Sequence, residues 1–351
     1  MTDTHDNAVM IIRKPLALVL GATGGIGGAV AAKLLANGYD VRAMHRKAAD
    51  HAVKARHYDW VGGDAMNRDD VMRAAIGADL IVHAVNPSGY RNWGTLVLPM
   101  IDNTIAAAKA AGARIVMPGT IYNYGPETFD QVTEDSPQHP VSEKGRIRVA
   151  LEQRLEAAAR GGIQVILVRA GDFFGPGAGN NWFAQAVVKP GAPLKAITNP
   201  ASPGVGHQWA YLPDVAETMV RLVLRADELP AFARFHMEGL WDDDGQQLAL
   251  SIRRVTGQAK LPVKPFPWWM LRLAQPFVPL FRELMEMRYL WRHALRLRND
   301  RLVGFLGEEP RTPIDQAVRE TLASLGCLAP SSGPEEVRRR PAPGGQGLSA
   351  S

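Results

Sequence analysis

Cysteine is almost absent from this chain of 351 residues. The single one, Cys327, excludes an intramolecular disulfide and a cysteine-based metal cluster. Paired ligand spacing is also absent around histidines such as His83 and His207, so we predict no metal site. Residues 1–15 combine acids with a short apolar run, instead of a basic region followed by a long apolar core. We therefore expect no secretory signal, and the predicted location is cytoplasmic.

Signatures of nucleic-acid recognition are missing, although the formal net charge is +5. Many of the arginines lie in two late stretches, 272–301 and 338–340. No zinc-finger, RNA-binding or helix-turn-helix pattern accompanies them, so we expect no nucleic-acid partner.

The sequence also lacks an apolar run that could cross a membrane. The strongest candidate, 264–282, is interrupted by prolines and arginines, which argues against stable membrane insertion. A helical pattern is predicted over 283–301, where Arg288, Arg292 and Arg296 are spaced by four. Such a helix could touch anionic lipid, but a lid over a cleft or a contact within a homodimer is the favoured interpretation.

The order of the apolar runs predicts an α/β protein. A continuous apolar run at 16–20, typical of a buried parallel strand, precedes a glycine-rich turn and a helix at 29–36. Further strands are predicted at 39–44, 60–62, 79–84, 114–117 and 163–168, and further helices at 71–76, 96–111 and 144–160. Alternating strands and helices imply parallel pairing with right-handed crossovers, and thus a doubly wound parallel sheet of the Rossmann type.

Four segments follow from this pattern. We predict an N-terminal extension over 1–14 and a nucleotide-binding Rossmann domain over 15–173, with returning elements near 207–225. From 174 onward Gly, Pro and Asn clusters interrupt the alternation, so 174–330 is predicted to be a smaller C-terminal region that binds substrate and forms a lid. Residues 331–351, rich in Pro, Gly, Ser and Arg, are predicted to be a disordered tail.

The glycine-rich turn predicts a dinucleotide site. Residues 21–28 read GATGGIGG and lie between a predicted strand and a predicted helix, as this motif requires. Gly21 would form the tight turn, Gly24 would allow close backbone approach, and Gly27 would let the helix pack against the strand. The first N–H groups of the helix would then bind the pyrophosphate. The other predicted cofactor contacts in this turn are Thr23, Gly25 and Ile26.

The end of the second strand favours NADP over NAD. An acid usually stands there when NAD is bound, because it holds the ribose 2′-hydroxyl. This chain has Arg46 in that region and no acid. A guanidinium can bind the 2′-phosphate of NADP in a planar, bidentate manner.

Several stretches of the chain occur in a fixed order: GATGGIGG, the pair Gly63–Asp64, the strand 79–84, and the stretches 169–176 and 207–216. Together they resemble the landmarks of the extended short-chain dehydrogenases/reductases, which are NAD-dependent epimerase/dehydratase-like proteins. The resemblance implies that Asp64 and Ala65 contact the adenine. It further implies that the adenine ribose is lined by Ala84, Val85 and Asn86, and that the nicotinamide lies by Ala170, Gly171 and Asp172.

The catalytic motif of that family is altered here. The resemblance places Thr120 at the position of a serine or threonine that orients the substrate oxygen. Family members also carry an acid/base Tyr followed four residues later by Lys. Aligning on Glu152 places Lys144 on the Tyr position and Arg148 on the Lys position, with both on one helix face.

This departure leaves three hypotheses open. Tyr122 or Tyr124 could supply a relocated acid/base, or Lys144 could act if burial and Arg148 depress its pKa. Arg148 itself can bind ribose hydroxyls but stays charged. These two hypotheses describe an NADP-dependent oxidoreductase or epimerase/dehydratase acting on a carbonyl or hydroxyl of a small-molecule substrate. The third is a catalytically inactive NADP-binding sensor or scaffold.

Overall fold

We analysed a computed structural model, which describes residues 13–53, 55–87, 92–177 and 181–328. The predicted extension over 1–14, apart from Arg13 and Lys14, and the predicted tail over 331–351 lie outside the described residues.

A parallel sheet of seven strands forms the centre of the molecule, which confirms the predicted fold class. The first six strands are β1 Leu16–Leu20, β2 Asp40–His45, β3 Asp59–Gly62, β4 Leu80–His83, β5 Arg114–Gly119 and β6 Val165–Arg169. The seventh, β10, spans Phe232–His236, and the order across the sheet is β10-β6-β5-β4-β1-β2-β3. β1 and β4 are adjacent although two strands intervene in the chain, so the strand order reverses beside β1.

Helices cover both faces of the sheet because its strands are apolar on both sides. In chain order, the first six helices are α1 Gly25–Ala36, α2 Ala48–Ala52, α3 Arg68–Ala74, α4 Trp93–Ala111, α5 Glu143–Arg160 and α6 Leu212–Leu224. One buried cluster joins α1 and α6 to the sheet, with Leu34 and Met219 fully buried. A second joins α3, α4 and α5 to the opposite face, with Ile101 and Leu151 fully buried.

The sheet draws on the chain beyond the boundary predicted at residue 173. β10 lies inside the range predicted for the substrate region, yet it pairs in parallel with β6, where Phe235 is opposite Val168. α6 lies in the predicted returning segment and packs against α1.

The remaining described elements lie outside the central sheet. They include two small sheets, formed by β7 Asp172–Phe174, β9 His207–Tyr211 and β11 Leu240–Asp242, and by β8 Ile197–Asn199 and β12 Val263–Pro265. The helices here are α7 Gln247–Thr256, α8 Trp268–Ala274, α9 Pro279–Glu286, α10 Asp300–Leu306 and α11 Ile314–Ser324. None of the described helices combines the length and apolar character needed to cross a bilayer.

The continuous helix predicted over 283–301 is wrong. α9 ends at Glu286, a short 3₁₀ helix covers Arg288–Trp291, and α10 begins only at Asp300. Leu297 lies between them, fully buried in an isolated bridge to Val132. The four-residue spacing of the arginines predicted a helix with one apolar face. The segment between α9 and α10 instead buries side chains in the core without forming a continuous helix.

Candidate functional site

A cavity of about 390 Å³ lies at the carboxyl ends of β1, β4, β5 and β6. In a doubly wound sheet this edge, beside the reversal of strand order, is where ligands bind. The described residues that line the cavity include Thr23, Gly24, Gly25, Ile26, Ala84, Val85, Asn86, Thr120, Tyr122, Arg148, Ala170, Gly171 and Asp172. Sequence reasoning had selected all thirteen, and the fold gathers them at one place.

The glycine turn provides a close backbone surface next to this cavity. Gly21 has a positive φ of 95°, and a Cβ there would lie 2.6 Å from the carbonyl oxygen of Ala84. A Cβ on Gly27 would lie 2.2 Å from the carbonyl oxygen of Gly21, so the helix can pack this closely only without a side chain. α1 begins at Gly25 with neither a side-chain cap nor an acid in its first turn. Its N-terminal N–H groups and positive dipole end therefore suit a phosphate.

Three of the residues predicted to contact the adenosine half, Arg46, Asp64 and Ala65, follow the neighbouring strands β2 and β3. Arg46 is exposed in the turn after β2. Asp64 stabilises its own turn, since its Oδ1 accepts the N–H of Met66 at 3.0 Å. The carbonyl of Ala65 accepts the side-chain amide of Asn103 at 2.9 Å. These residues stand outside the cavity lining, and their contact with a cofactor stays a prediction.

Arg148 reaches the cavity from α5. Its Nη2 donates to Oδ1 of Asn86 at 3.1 Å, and its guanidinium carbon lies 4.8 Å from the ring centre of Trp93. His83 lines the same wall, and its Nδ1 is 2.8 Å from the Thr104 hydroxyl. Burial, reinforced by the charge of Arg148, lowers the pKa of His83 to about 3. His83 is therefore neutral at neutral pH.

The loop that carries Thr120 is held from the sheet side by a buried ionic network. Arg169, fully buried at the end of β6, donates to both carboxylate oxygens of Glu152 at 2.8 and 2.7 Å. It also donates to the main-chain carbonyl of Thr120. Asn123 donates to Glu152 at 2.9 Å and accepts the Thr120 hydroxyl at 3.3 Å. The pair of buried charges thus fixes the position of the Thr120 hydroxyl.

The two tyrosines of this loop lie in different surroundings. Tyr122 lines the cavity and is 7 % exposed, with its ring 6.4 Å from that of Trp93. Tyr124 is fully buried away from the cavity, where its hydroxyl is 3.0 Å from Nε2 of His236. Burial raises the pKa of Tyr124, which opposes its ionisation. Of the two tyrosines, Tyr122 is the one that could meet a substrate.

The structure does not bring Lys144 to the cavity. Its side chain is 2 % exposed, and its amino group is paired with the carboxylates of Glu283 and Glu286 on α9. The backbone N–H of Lys144 also donates to Glu286 at 3.0 Å. Lys144 therefore ties α5 to α9, and its predicted acid/base role lacks a geometric basis.

A second buried pair closes the other side of the cavity. Oδ2 of Asp172, which lines the cavity, is 2.9 Å from Nε2 of His207. The His207 ring stacks on Trp291 with centroids 3.7 Å apart, and Trp291 packs against Trp182 of the cavity wall. This side of the cavity is thus bordered by aromatic rings and one carboxylate.

Sequence reasoning missed His83, Trp93 and Trp182 as cavity residues. His83 ends a predicted strand at the correct edge, so its position could have been inferred from that strand. Trp182 follows an irregular stretch, and no local pattern indicated its neighbours. The partners of Lys144 are 139 and 142 residues away along the chain.

Known proteins resemble this chain in sequence over the part that forms the cavity. The profile described as "NAD dependent epimerase/dehydratase family" covers residues 17–236. A dTDP-6-deoxy-L-talose 4-dehydrogenase (NAD(P)(+)) from Kitasatospora kifunensis is 32 % identical over 172 residues, 45 % of this chain and 52 % of that protein. A 3-diazoavenalumate denitrifying reductase from a Streptomyces species is 29 % identical over 184 residues, 46 % of this chain and 57 % of its own length. The chain thus spans about half the length of the curated relatives it matches.

Solved structures share the fold across most of the chain. UDP-galactose 4-epimerase superimposes with a TM-score of 0.64 at 16 % identity, covering 88 % of this chain and 98 % of that one. UDP-N-acetylglucosamine 4-epimerase from Bacillus cereus gives a TM-score of 0.65 at 19 % identity, covering 89 % and 99 %. At these identities the likeness concerns the fold.

Proposed function

The chain belongs to the NAD dependent epimerase/dehydratase family, and from that premise we propose that it is an NADP-dependent oxidoreductase or epimerase/dehydratase acting on a small molecule. The reacting group would be a carbonyl or hydroxyl carbon. One observation carries the proposal. Thr120, Tyr122 and Arg148 line the same cavity as the glycine turn, whereas the amino group of Lys144 is neutralised by two carboxylates outside it.

The glycine turn and the start of α1 fit a dinucleotide. The close approach of Gly21 to Ala84 leaves room for backbone only, and the first turn of α1 has no competing acid. Arg46 would bind the 2′-phosphate, and this contact is the basis for preferring NADP over NAD. When bound, the nicotinamide supplies or accepts a hydride.

The residues of this chain would then orient the substrate and manage its proton. The Thr120 hydroxyl, on the loop fixed by the Arg169–Glu152 pair, would exchange its 3.3 Å bond to Asn123 for one donated to the substrate oxygen, and would so orient that oxygen. Tyr122 would give or take the proton at that oxygen. Arg148, anchored on Asn86 and Trp93, would bind ribose hydroxyls, because a guanidinium cannot shuttle protons at neutral pH.

Two variants test this assignment with NADPH absorbance as the readout, over a panel of aldehydes, ketones and alcohols. For any compound turned over, Thr120→Ala and Tyr122→Phe should each lower kcat by roughly 10²–10⁴-fold. NADPH affinity should stay nearly unchanged, because neither hydroxyl serves the cofactor. Tyr39→Phe is the matched control, since that phenol precedes β2 at the opposite edge of the sheet.

Two results would contradict the assignment. If kcat is unchanged in both variants, Thr120 and Tyr122 take no part in the reaction, although the assignment of the fold still holds. NADPH binding without turnover across the panel would instead support the alternative function, an NADP-binding sensor or scaffold. The absence of a Tyr–Lys pair at positions 144 and 148 favours that alternative.

A further inference from the structure

The hairpin of α8, residues 275–278 and α9, called the outer hairpin below, carries an unusual apolar surface. Its exposed apolar side chains are Trp269 (69 %), Met270 (42 %), Leu273 (69 %), Phe277 (84 %) and Val278 (36 %). We call these five the apolar patch. Trp269 and Phe277 are the exposed aromatic side chains of the described chain. The five lie within ten residues of the chain, and exposed apolar side chains concentrated in this way mark a site of interaction.

The exposed charges along the chain that forms the apolar patch have one sign. Between residues 257 and 282 there is no acid, whereas Lys260, Lys264, Arg272 and Arg282 are all exposed. The acids of the outer hairpin, Glu283 and Glu286, pair with buried Lys144. The exposed aromatic side chains therefore lie on a stretch of chain whose exposed charged side chains are all cations.

We propose that the outer hairpin docks on a membrane surface that contains anionic lipid. Tryptophan has an apolar body with a polar N–H and suits the interface between headgroups and acyl chains. Arginine and lysine can lay their apolar stems on the bilayer while their charges meet lipid phosphates. Docking of this kind buries one face of a helix and requires no membrane-spanning segment.

The same surface is poorly suited to a second copy of the chain. A two-fold contact places identical patches against each other, which would bring Arg272 and Arg282 close to their own counterparts with no acid on the patch to offset them. An anionic bilayer supplies the missing charge. It would also lie close to the cavity, because the Trp268 ring at the base of α8 is 5.9 Å from Trp182 of the cavity wall.

Vesicle co-sedimentation of the full chain tests the proposal. We expect binding to vesicles of equal parts phosphatidylcholine and phosphatidylglycerol, little binding to phosphatidylcholine alone, and release by high salt. Trp269→Ser combined with Phe277→Ser should abolish binding, and Arg272→Glu should weaken it at least about fivefold. Ile76→Ser, at an apolar site that is 70 % exposed elsewhere, is the control for lost apolar surface.

Arg319→Glu controls for net charge, because it makes the same change at an exposed site on α11. If Arg319→Glu weakens vesicle binding as much as Arg272→Glu does, the attraction is to overall charge and the proposal is overturned. Equal binding to both vesicle types, or no binding to either, also overturns it. So does a dimer, measured by light scattering, that Trp269→Ser dissociates, since the patch would then be a subunit contact. Melting curves identify any variant that fails to fold.

Discussion

Replacing Lys144 by methionine separates a structural role from a catalytic one. The ammonium is 2 % exposed, whereas its partners Glu283 and Glu286 are 28 % and 24 % exposed. Lys144→Met leaves two carboxylates that water can still reach, so we expect a loss of about 2–3 kcal/mol in unfolding free energy. This lies below the roughly 3–5 kcal/mol typical when a buried pair loses one partner.

The converse change should cost more. Glu283→Gln combined with Glu286→Gln takes these two counter-charges from a buried ammonium, and here the full loss of about 3–5 kcal/mol is expected. The triple variant, in which Lys144→Met is added to both glutamines, removes every charge at once. It should recover most of the stability, because no uncompensated buried charge remains and the two amides stand at partly exposed positions where water can hydrogen-bond them.

Scanning calorimetry of the three variants ranks their melting temperatures and so tests the expected order of stability. At about 1.4 °C per kcal/mol for a chain of this size, the double glutamine variant should melt roughly 4–7 °C below the parent. Arg146→Met is the matched control. Arg146 sits two residues further along α5 and makes an exposed ion pair with Glu143, of a kind worth at most about 1 kcal/mol.

One pattern would refute this reasoning. If Lys144→Met leaves the melting temperature unchanged while kcat collapses and an ionisation disappears from the pH–rate profile, Lys144 is the acid/base. The pairs with α9 would then have to open during turnover.

Two further predictions concern the cofactor and pH. Arg46→Ala should weaken NADP binding roughly tenfold to a hundredfold and leave NAD unchanged, measured by calorimetric titration; equal affinities in the parent would remove the assignment. His83, with a pKa of about 3 against about 6.5 unfolded, takes up a proton on unfolding between those pH values. Stability should therefore fall on acidification through that window, by up to about 1.4 kcal/mol per pH unit. The unfolding free energy can be measured by urea titration at several pH values in this window. His83→Asn should reduce its dependence on pH, and an unchanged dependence would mean that His83 is already protonated in the folded chain.

The sheet and the cofactor wall were predictable because their signals are local. β1 is a continuous apolar run directly followed by its glycine turn, so strand, turn and helix were read from neighbouring residues. β6 also contains a continuous apolar run, at Val165–Val168. The parallel order then brings the ends of β1, β4, β5 and β6 to one edge without any knowledge of long-range contacts.

Other features depend on contacts between distant parts of the chain. β10 begins at Phe232, far along the chain from the end of β6 at Arg169, and no pattern in the neighbouring residues predicts that the two strands pair. Aligning Lys144 with a catalytic position gave its place on α5 but not its partners, which approach from α9. The spacing of Arg288, Arg292 and Arg296 suggested a helix, but burial of Leu290 and Leu297 in the core ended it.

The network around Arg169 has a consequence for how this protein could diversify. Arg169, Glu152 and Asn123, which fix the Thr120 loop, belong to β6, α5 and the loop itself. In the described part of the chain, the outer hairpin contributes no hydrogen bond to that group of residues. The outward-facing positions of the hairpin can therefore accumulate substitutions without disturbing the Thr120 loop, whereas Glu283 and Glu286 are constrained by their pairing with Lys144.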